Sequence, residues 1–281
     1  MKPFLNLTLS ALLVAGAALA GPALAQTVIT ATGASTIAPL MSEVGKHFEK
    51  ANPQVRVEVQ SGGTSRGIAD VRQGSARIGM VSRALHEDEK KDLEALLIAR
   101  DGVAMVVHKS NPVKALTREQ IIAIYTGKVK NWKEVGGADA PITVISKAEG
   151  RSTLEVFTHY FGVTPRDIKA QIIIGDNQQE IRTVSTNKGA IGYVSIGSAE
   201  YEASHGTPIK MLALGNLVPS TQSVASGAYP IARDLNLVYR KPLSKDESAL
   251  LAYMSTPAAK KEILAQFFIP VATAPVVANS K

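Results

Sequence analysis

The sequence predicts an α/β fold built as two lobes. Three observations carry this expectation. Short β-rich runs alternate with helical patterns along the chain, the alternation restarts after about residue 108, and small hydroxyl residues or glycines follow several of the strands.

The elements follow in order. Thr27–Ala31 reads as a strand, and Ile37, Leu40, Met41, Val44 and Phe48 then share one helical face until Asn52-Pro53 breaks it. Val55, Val57 and Val59 alternate as a half-buried strand, which ends in the glycine turn Ser61-Gly62-Gly63 before a helix through Ile68 and Val71. Arg77–Val81 is the third strand, closed by Ser82-Arg83. Asp92–Ala99 is expected as a helix and Val103–Val107 as a buried strand. In the second half, Thr117 caps a helix with Ile121, Ile122 and Tyr125 on its apolar side, and Trp132 lies in the loop beyond. Ile142–Ser146, Ile172–Ile174, Ala190–Val194, Met211–Leu214 and Leu235–Tyr239 are strands. Gly150-Arg151-Ser152-Thr153 leads into a helix with Val156, Phe157 and Tyr160, Gln179–Val184 is helical, and helices over Lys245–Met254 and Ala258–Phe268 precede a frayed tail from Ile269.

Domain boundaries follow from this pattern. Residues 26–107 and 228–281 form a discontinuous first lobe and 108–227 the second, since chain ends tend to lie close together. Met1 to Ala25 reads as a cleavable secretory signal: Lys2, an apolar run of about ten residues, then Ala23-Leu24-Ala25. That run is too short to span roughly 30 Å of hydrocarbon. The expected location is therefore the periplasm, as an exported monomer.

Composition narrows the function classes. With 281 residues, 45% hydrophobic and 20% charged, the chain is long enough to bury substantial cores. Cysteine is absent, which removes thiol nucleophiles, iron–sulfur clusters and disulfides. A net charge of +7 favours anionic partners. Its basic residues are dispersed and aromatics are 5%, which argues against nucleic acid.

The functional signal is a device repeated at four turns. Ser35-Thr36, Ser61 before Gly62-Gly63, and Ser152-Thr153 after Gly150 each place hydroxyls between a strand and a helix, and Ser82-Arg83 adds a guanidinium. Ligands of open α/β sheets bind beyond the carboxyl ends of strands. Helix N-termini there offer free amides and partial positive charge. Lys147 and Arg151 add cations beside Ser152, and Arg83 and Arg151 suit bidentate grasp of a tetrahedral oxyanion. A helix cap would explain any one of these turns, and the basic residues also read as solvated surface charges.

Four segments then carry a resemblance: Thr32-Gly33-Ala34-Ser35-Thr36-Ile37-Ala38-Pro39-Leu40, Ser61-Gly62-Gly63-Thr64-Ser65, Ile78-Gly79-Met80-Val81-Ser82-Arg83 and Asn187-Lys188-Gly189-Ala190-Ile191-Gly192-Tyr193. In this order they resemble the periplasmic phosphate-binding proteins of ABC phosphate importers. The resemblance implies a type II periplasmic-binding-protein fold with the ligand cleft between its lobes, and an inner-membrane ABC permease as partner. It also implies phosphate contacts at Ser35, Thr36, Ser61, Ser82, Arg83, Ser152 and Thr153, and Arg151 joins them as a ligand candidate from the reading of its own turn.

Two departures bear on selectivity. Arg83 stands where many members carry an Asp that accepts a proton from phosphate, and Lys147-Ala148-Glu149-Gly150-Arg151-Ser152-Thr153 replaces an Arg-x-x-Gly-Ser-Gly-Thr segment. A site rejects sulfate by presenting a buried acceptor that only a protonated anion satisfies. Glu149 and Asp70 are the candidate replacements, and both also read as surface or capping carboxylates. Phosphate is the expected ligand, with sulfate or another oxyanion, or a sensing or adhesion role, as alternatives.

Catalysis is not expected. Ser185-Thr186-Asn187-Lys188 matches the Ser-x-x-Lys of acyl-serine enzymes, but no Lys-Thr-Gly accompanies it. His47, His86, His108, His159 and His205 lack metal-ligand spacing, so neither a metal nor a cofactor is expected. Trp132 and Tyr125 read as packing residues rather than a stacking platform, and Tyr193 as a residue near the hinge.

Overall fold

The structure is a computed structural model that describes residues 26–272. The expected signal segment 1–25 and the tail beyond 272 lie outside the described residues. The first half contains β1 (Thr27–Gly33), α1 (Ala38–Ala51), β2 (Val55–Ser61), α2 (Thr64–Gln73), β3 (Ile78–Val81) and β4 (Glu94–His108). Then come β5 (Ala115–Leu116), α3 (Arg118–Tyr125), β6 (Thr143–Lys147), α4 (Ser152–Phe161), β7 (Ile172–Ile174), α5 (Asn177–Thr186), β8 (Ala190–Ser195) and α6 (Ile196–Ser204). The chain ends with β9 (Ile209–Met211), β10 (Ala213–Leu214), α7 (Thr221–Ala225), β11 (Ala232–Tyr239), α8 (Lys245–Tyr253), α9 (Pro257–Ala265) and β12 (Ile269–Pro270).

The main sheet runs β2-β1-β3-β11-β4-β8-β6-β7. Its flanks are parallel, with β1 beside β2 and β3, and β6 beside β7 and β8. Each parallel flank requires helical crossovers, which is why the helices alternate with the strands. The centre is antiparallel and depends on β4. Its first part pairs with β11 from Glu94↔Tyr239 to Gly102↔Ala232, and its second part pairs with β8 from Val103↔Ser195 to Val107↔Ile191.

This long strand replaces the helix expected over Asp92–Ala99. The Glu-Ala-Leu-Leu composition favours a helix in isolation, but Leu96, Ile98 and Ala99 are all buried in the sheet. Pairing with β11 thus overrides local propensity. The tail differs too, since Ile269–Pro270 pairs with Arg100 and Ala99 of β4.

Two large hydrophobic cores result. One gathers Ile29, Leu40, Met80, Leu96 and Ile98 with Leu235, Leu237, Leu250 and Ile263. The other gathers Val103, Met105, Tyr125, Trp132, Phe157, Tyr193 and Tyr229. Tyr193 stacks on Phe157 with ring centroids 4.2 Å apart. Trp132 is buried, and its indole N–H donates to the Gly189 carbonyl at 2.9 Å. Among the described residues, no helix is long and apolar enough to cross a membrane.

Candidate functional site

A cavity with an empty volume of about 220 Å³ opens where the carboxyl ends of β1, β3, β6 and β7 meet the N-terminal turns of α1, α2, α4 and α5. Ala34, Ser35 and Thr36 follow β1, Gly63 and Thr64 open α2, and Ser82 follows β3. Lys147, Arg151, Ser152 and Thr153 come from the β6–α4 turn, and Gly175 and Asn177 from the β7–α5 turn. The space is too small for a drug-sized organic ligand, and its lining is mostly polar.

The helix ends give the cavity its electrostatic character. Helices α3, α5, α6, α7, α8 and α9 each have an N-cap side chain that accepts a backbone N–H: Thr117, Asp176, Ser195, Ser220, Ser244 and Thr256. Helices α1, α2 and α4 have none, their N-caps being Ile37, Gly63 and Arg151. All three uncapped ends lie at the cavity, and α5, which also opens on it through Asn177, is capped by Asp176. In α1 the Ala38 amide donates to the Ala34 carbonyl and Pro39 has no N–H, in α2 the Ser65 amide donates to the Gly150 carbonyl, and in α4 the Leu154 amide donates to the Arg151 carbonyl. The amides of the cavity-lining Thr64, Ser152 and Thr153 have no such acceptor among the described residues, and with the positive pole of the dipole they face whatever fills the space.

The hydroxyls are held by a buried network. Arg233 donates through Nη2 to Thr36 Oγ1 and through Nη1 to Thr153 Oγ1, each at 3.0 Å. It is fixed in turn by Asp101, whose carboxylate lies 2.8 Å from Nη2, and both side chains are 1% exposed. Asn177 Nδ2 donates to the same Thr36 oxygen at 3.0 Å. Two donors occupy the acceptor capacity of that hydroxyl, which leaves its proton free to be donated. Ser82 Oγ and Ser152 Oγ share a 2.5 Å hydrogen bond.

The two cations of the β6–α4 turn differ. Lys147 is buried, with Nζ paired to the equally buried Glu180 and donating to the Asp176 carbonyl at 3.0 Å. Burial pulls its ammonium below the ordinary lysine range and lifts the Glu180 carboxyl, while their contact opposes both shifts. Its backbone N–H donates to Tyr193 Oη at 3.1 Å, so Tyr193 braces the turn from behind. Arg151 is half-buried, and among the described residues its guanidinium has no hydrogen bond or ion pair. Burial lowers its pKa, with the charge of Asp176 opposing. A Cβ on Gly63 would stand 2.7 Å from Arg151 Cδ, and one on Gly175 would stand 3.1 Å from its Nη2. Bare backbone on both sides is what lets this side chain lie at the cavity.

The cavity therefore brings together Ser35, Thr36, Ser82, Arg151, Ser152 and Thr153 from the expected set. Ser61 is placed elsewhere. The amides of Gly62 and Gly63 both donate to the Gly33 carbonyl, at 2.8 and 2.9 Å, and the resulting turn leaves Ser61 exposed and puts Thr64 on the cavity wall. Arg83, next to Ser82 in the bend after β3, is also outside the cavity lining. Its guanidinium donates to both Glu89 carboxylate oxygens, at 2.7 and 2.8 Å, and through Nε to Glu155 at 2.6 Å.

Thr64, Gly175, Asn177 and the supporting Arg233 were not legible as site residues. Asn177 does follow a strand and open a helix, the same placement as the other turns, but without a hydroxyl to mark it. No carboxylate lines the cavity among the described residues. Glu149 is exposed, and Asp70 pairs with Arg66 at 3.2 Å.

Comparison with known proteins decides the family. A model of the PBP superfamily domain matches residues 20–261. The phosphate-binding protein PstS of Bacillus subtilis is 31% identical over 255 residues, spanning 86% of this chain and 80% of its own length. The chain belongs to this family of phosphate-binding proteins. Solved structures agree. A putative phosphate ABC transporter substrate-binding protein with bound phosphate from Clostridium perfringens superposes with a TM-score of 0.81 at 29% identity, covering 87% of this chain and all of that one. An ABC-type phosphate transport receptor from Vibrio cholerae gives 0.70, also at 29% identity and with the same coverage. These relatives are named as binding and transport proteins rather than enzymes.

Proposed function

We propose that this chain is a solute-binding protein that captures inorganic phosphate in the cavity and delivers it to an inner-membrane ABC permease. The observation that carries this reading is the convergence on one small cavity of the N-termini of α1, α2 and α4 and of Arg151, whose guanidinium has no partner among the described residues. Such a site supplies donors and positive charge but no nucleophile paired with a base, so it binds without reacting. The phosphate-binding relatives supply the identity of the anion.

Capture is a change of lobe arrangement. The first lobe, 26–107 with 228–281, brings Ser35, Thr36, Thr64 and Ser82. The second lobe, 108–227, brings Arg151, Ser152, Thr153 and Asn177. At the cavity, polar contacts join them: Ser82 with Ser152, Thr36 with Asn177, Arg233 with Thr153, and the Ser65 amide with the Gly150 carbonyl at 3.2 Å. An anion held by donors of both lobes binds the closed arrangement more tightly than the open one, and that difference in affinity shifts the population toward closure. The chain acts as an exported monomer in the periplasm, after removal of residues 1–25.

The test is a melting panel on protein refolded to strip any carried-over anion, with phosphate, arsenate, sulfate and chloride at equal ionic strength. Ligand at a thousand times its Kd adds about 4 kcal/mol to stability. A large upward shift with phosphate and arsenate supports the reading, and no shift with either overturns it.

A further inference from the structure

We propose that Asn177 is the residue that selects phosphate over sulfate, through its side-chain carbonyl as a hydrogen-bond acceptor facing the anion. This rests on the phosphate reading and goes beyond it, because among the described residues no carboxylate lines the cavity to play that part. Asn177 is 2% exposed, lines the cavity, and opens α5. Its Nδ2 is spent on Thr36 Oγ1 at 3.0 Å. Its Oδ1 is one of the few buried side-chain oxygens of the described residues with no hydrogen-bond partner. A buried carbonyl without a partner is costly, and cost of that kind persists where a ligand relieves it.

The chemistry distinguishes the two anions. Every phosphate species present near neutral pH carries at least one P–OH, and sulfate carries no proton at all. A P–OH donates to Oδ1 and satisfies it, whereas a sulfate oxygen meets Oδ1 lone pair to lone pair. The hydroxyls of Ser35, Ser82, Ser152 and Thr153 cannot discriminate in this way, since each rotates to donate to either anion. The Asn177 amide is held in one orientation. Thr36 already accepts from Arg233 as well as Asn177, so turning the amide over would exchange a donor for a second acceptor and require the Thr36 proton in place of the ligand. An amide also adds no negative charge, so the acceptor is introduced without opposing Arg151.

The experiment is isothermal titration of anion-stripped protein with sodium phosphate and sodium sulfate at fixed ionic strength, in wild type and Asn177→Leu, with Asn177→Ala as a second variant if the first does not fold. The readout is the ratio of the two affinities, because a purely structural loss at this position weakens both anions alike. The wild type is expected to prefer phosphate strongly, and the ratio is expected to fall about tenfold or more in the variants through weaker phosphate binding. An unchanged ratio overturns the proposal, as does wild type that binds both anions equally; in both cases capture of phosphate stands. Wild type that binds no phosphate overturns the functional reading itself.

Discussion

Ser82 and Ser152, 70 residues apart in sequence, bring their Oγ atoms to 2.5 Å at the cavity. One follows β3 and the other opens α4, so the contact ties two turns that carry separate sets of donors. Around it the charges are arranged so that nearly every cation already has a partner. Arg233 is matched by Asp101, Lys147 by Glu180 and Arg83 by Glu89, which leaves Arg151, among the described residues at the cavity, as the charge available to an incoming anion. That division of labour yields distinct expectations for mutants of the arginines.

Arg83→Ala is expected to damage stability rather than binding. It leaves the buried Glu89 carboxylate without its guanidinium, and breaking a buried pair costs about 3–5 kcal/mol. Denaturant unfolding should show that loss, while phosphate affinity of the folded fraction stays near wild type. A large fall in affinity with unchanged stability would return Arg83 to the site.

Arg233→Lys should lower both quantities. A lysine ammonium can pair with Asp101 but cannot at once reach Thr36 and Thr153, so two hydroxyls lose their alignment. A stability loss of about 1–3 kcal/mol together with weaker phosphate binding is expected from chemical unfolding and calorimetry. Binding unaffected by this change would mean that the network does not position the donors.

Acid should destabilise the fold before any effect on the ligand is considered. Burial alone would lift the carboxyls of Glu89 and Glu247. Arg83 with the His86 amide, and Arg77 with Ser244, outweigh it and hold both below the ordinary Glu value of 4.5. The unfolded chain therefore takes up protons first as pH falls. The contribution of these groups is complete above about 4.5 and is lost as pH falls through that value toward the lowered native pKa values. Melting temperature measured in chloride buffers from neutral pH downward should fall in that window, and less steeply in Glu247→Gln. A profile identical in the variant would remove Glu247 from the explanation.

Much of this was legible in the sequence, for identifiable reasons. Strand-to-helix turns are written locally by glycines, hydroxyls and periodicity, so Ser35, Thr36, Ser82, Ser152 and Thr153 could be found without coordinates. The strand over Glu94–Ala99 could not, because its conformation is imposed by β11, a partner more than 130 residues further along the chain. What holds Arg83 was hidden, since one of its partners, Glu155, lies 72 residues further along the chain. Arg233 reaches Thr36 across a separation of 197 residues, and no local pattern marks such a contact. Asn177 was hidden differently, since an asparagine after a strand looks like an ordinary helix start until it is found lining the cavity with a buried oxygen that has no partner.

The most direct test of the central claim compares wild type and Arg151→Ala, both stripped of anion, by phosphate titration calorimetry and by melting without ligand. Arg151 makes no ion pair among the described residues, so its removal should leave the melting temperature nearly unchanged. Losing its charge-assisted bonds to phosphate should weaken binding by about 1.5–3 kcal/mol, more than tenfold in Kd. One phosphate per wild-type chain and that loss in the variant are the expected result. Wild type that takes up no phosphate, or a variant that binds it as tightly as wild type, would contradict the assignment of this cavity as the phosphate site.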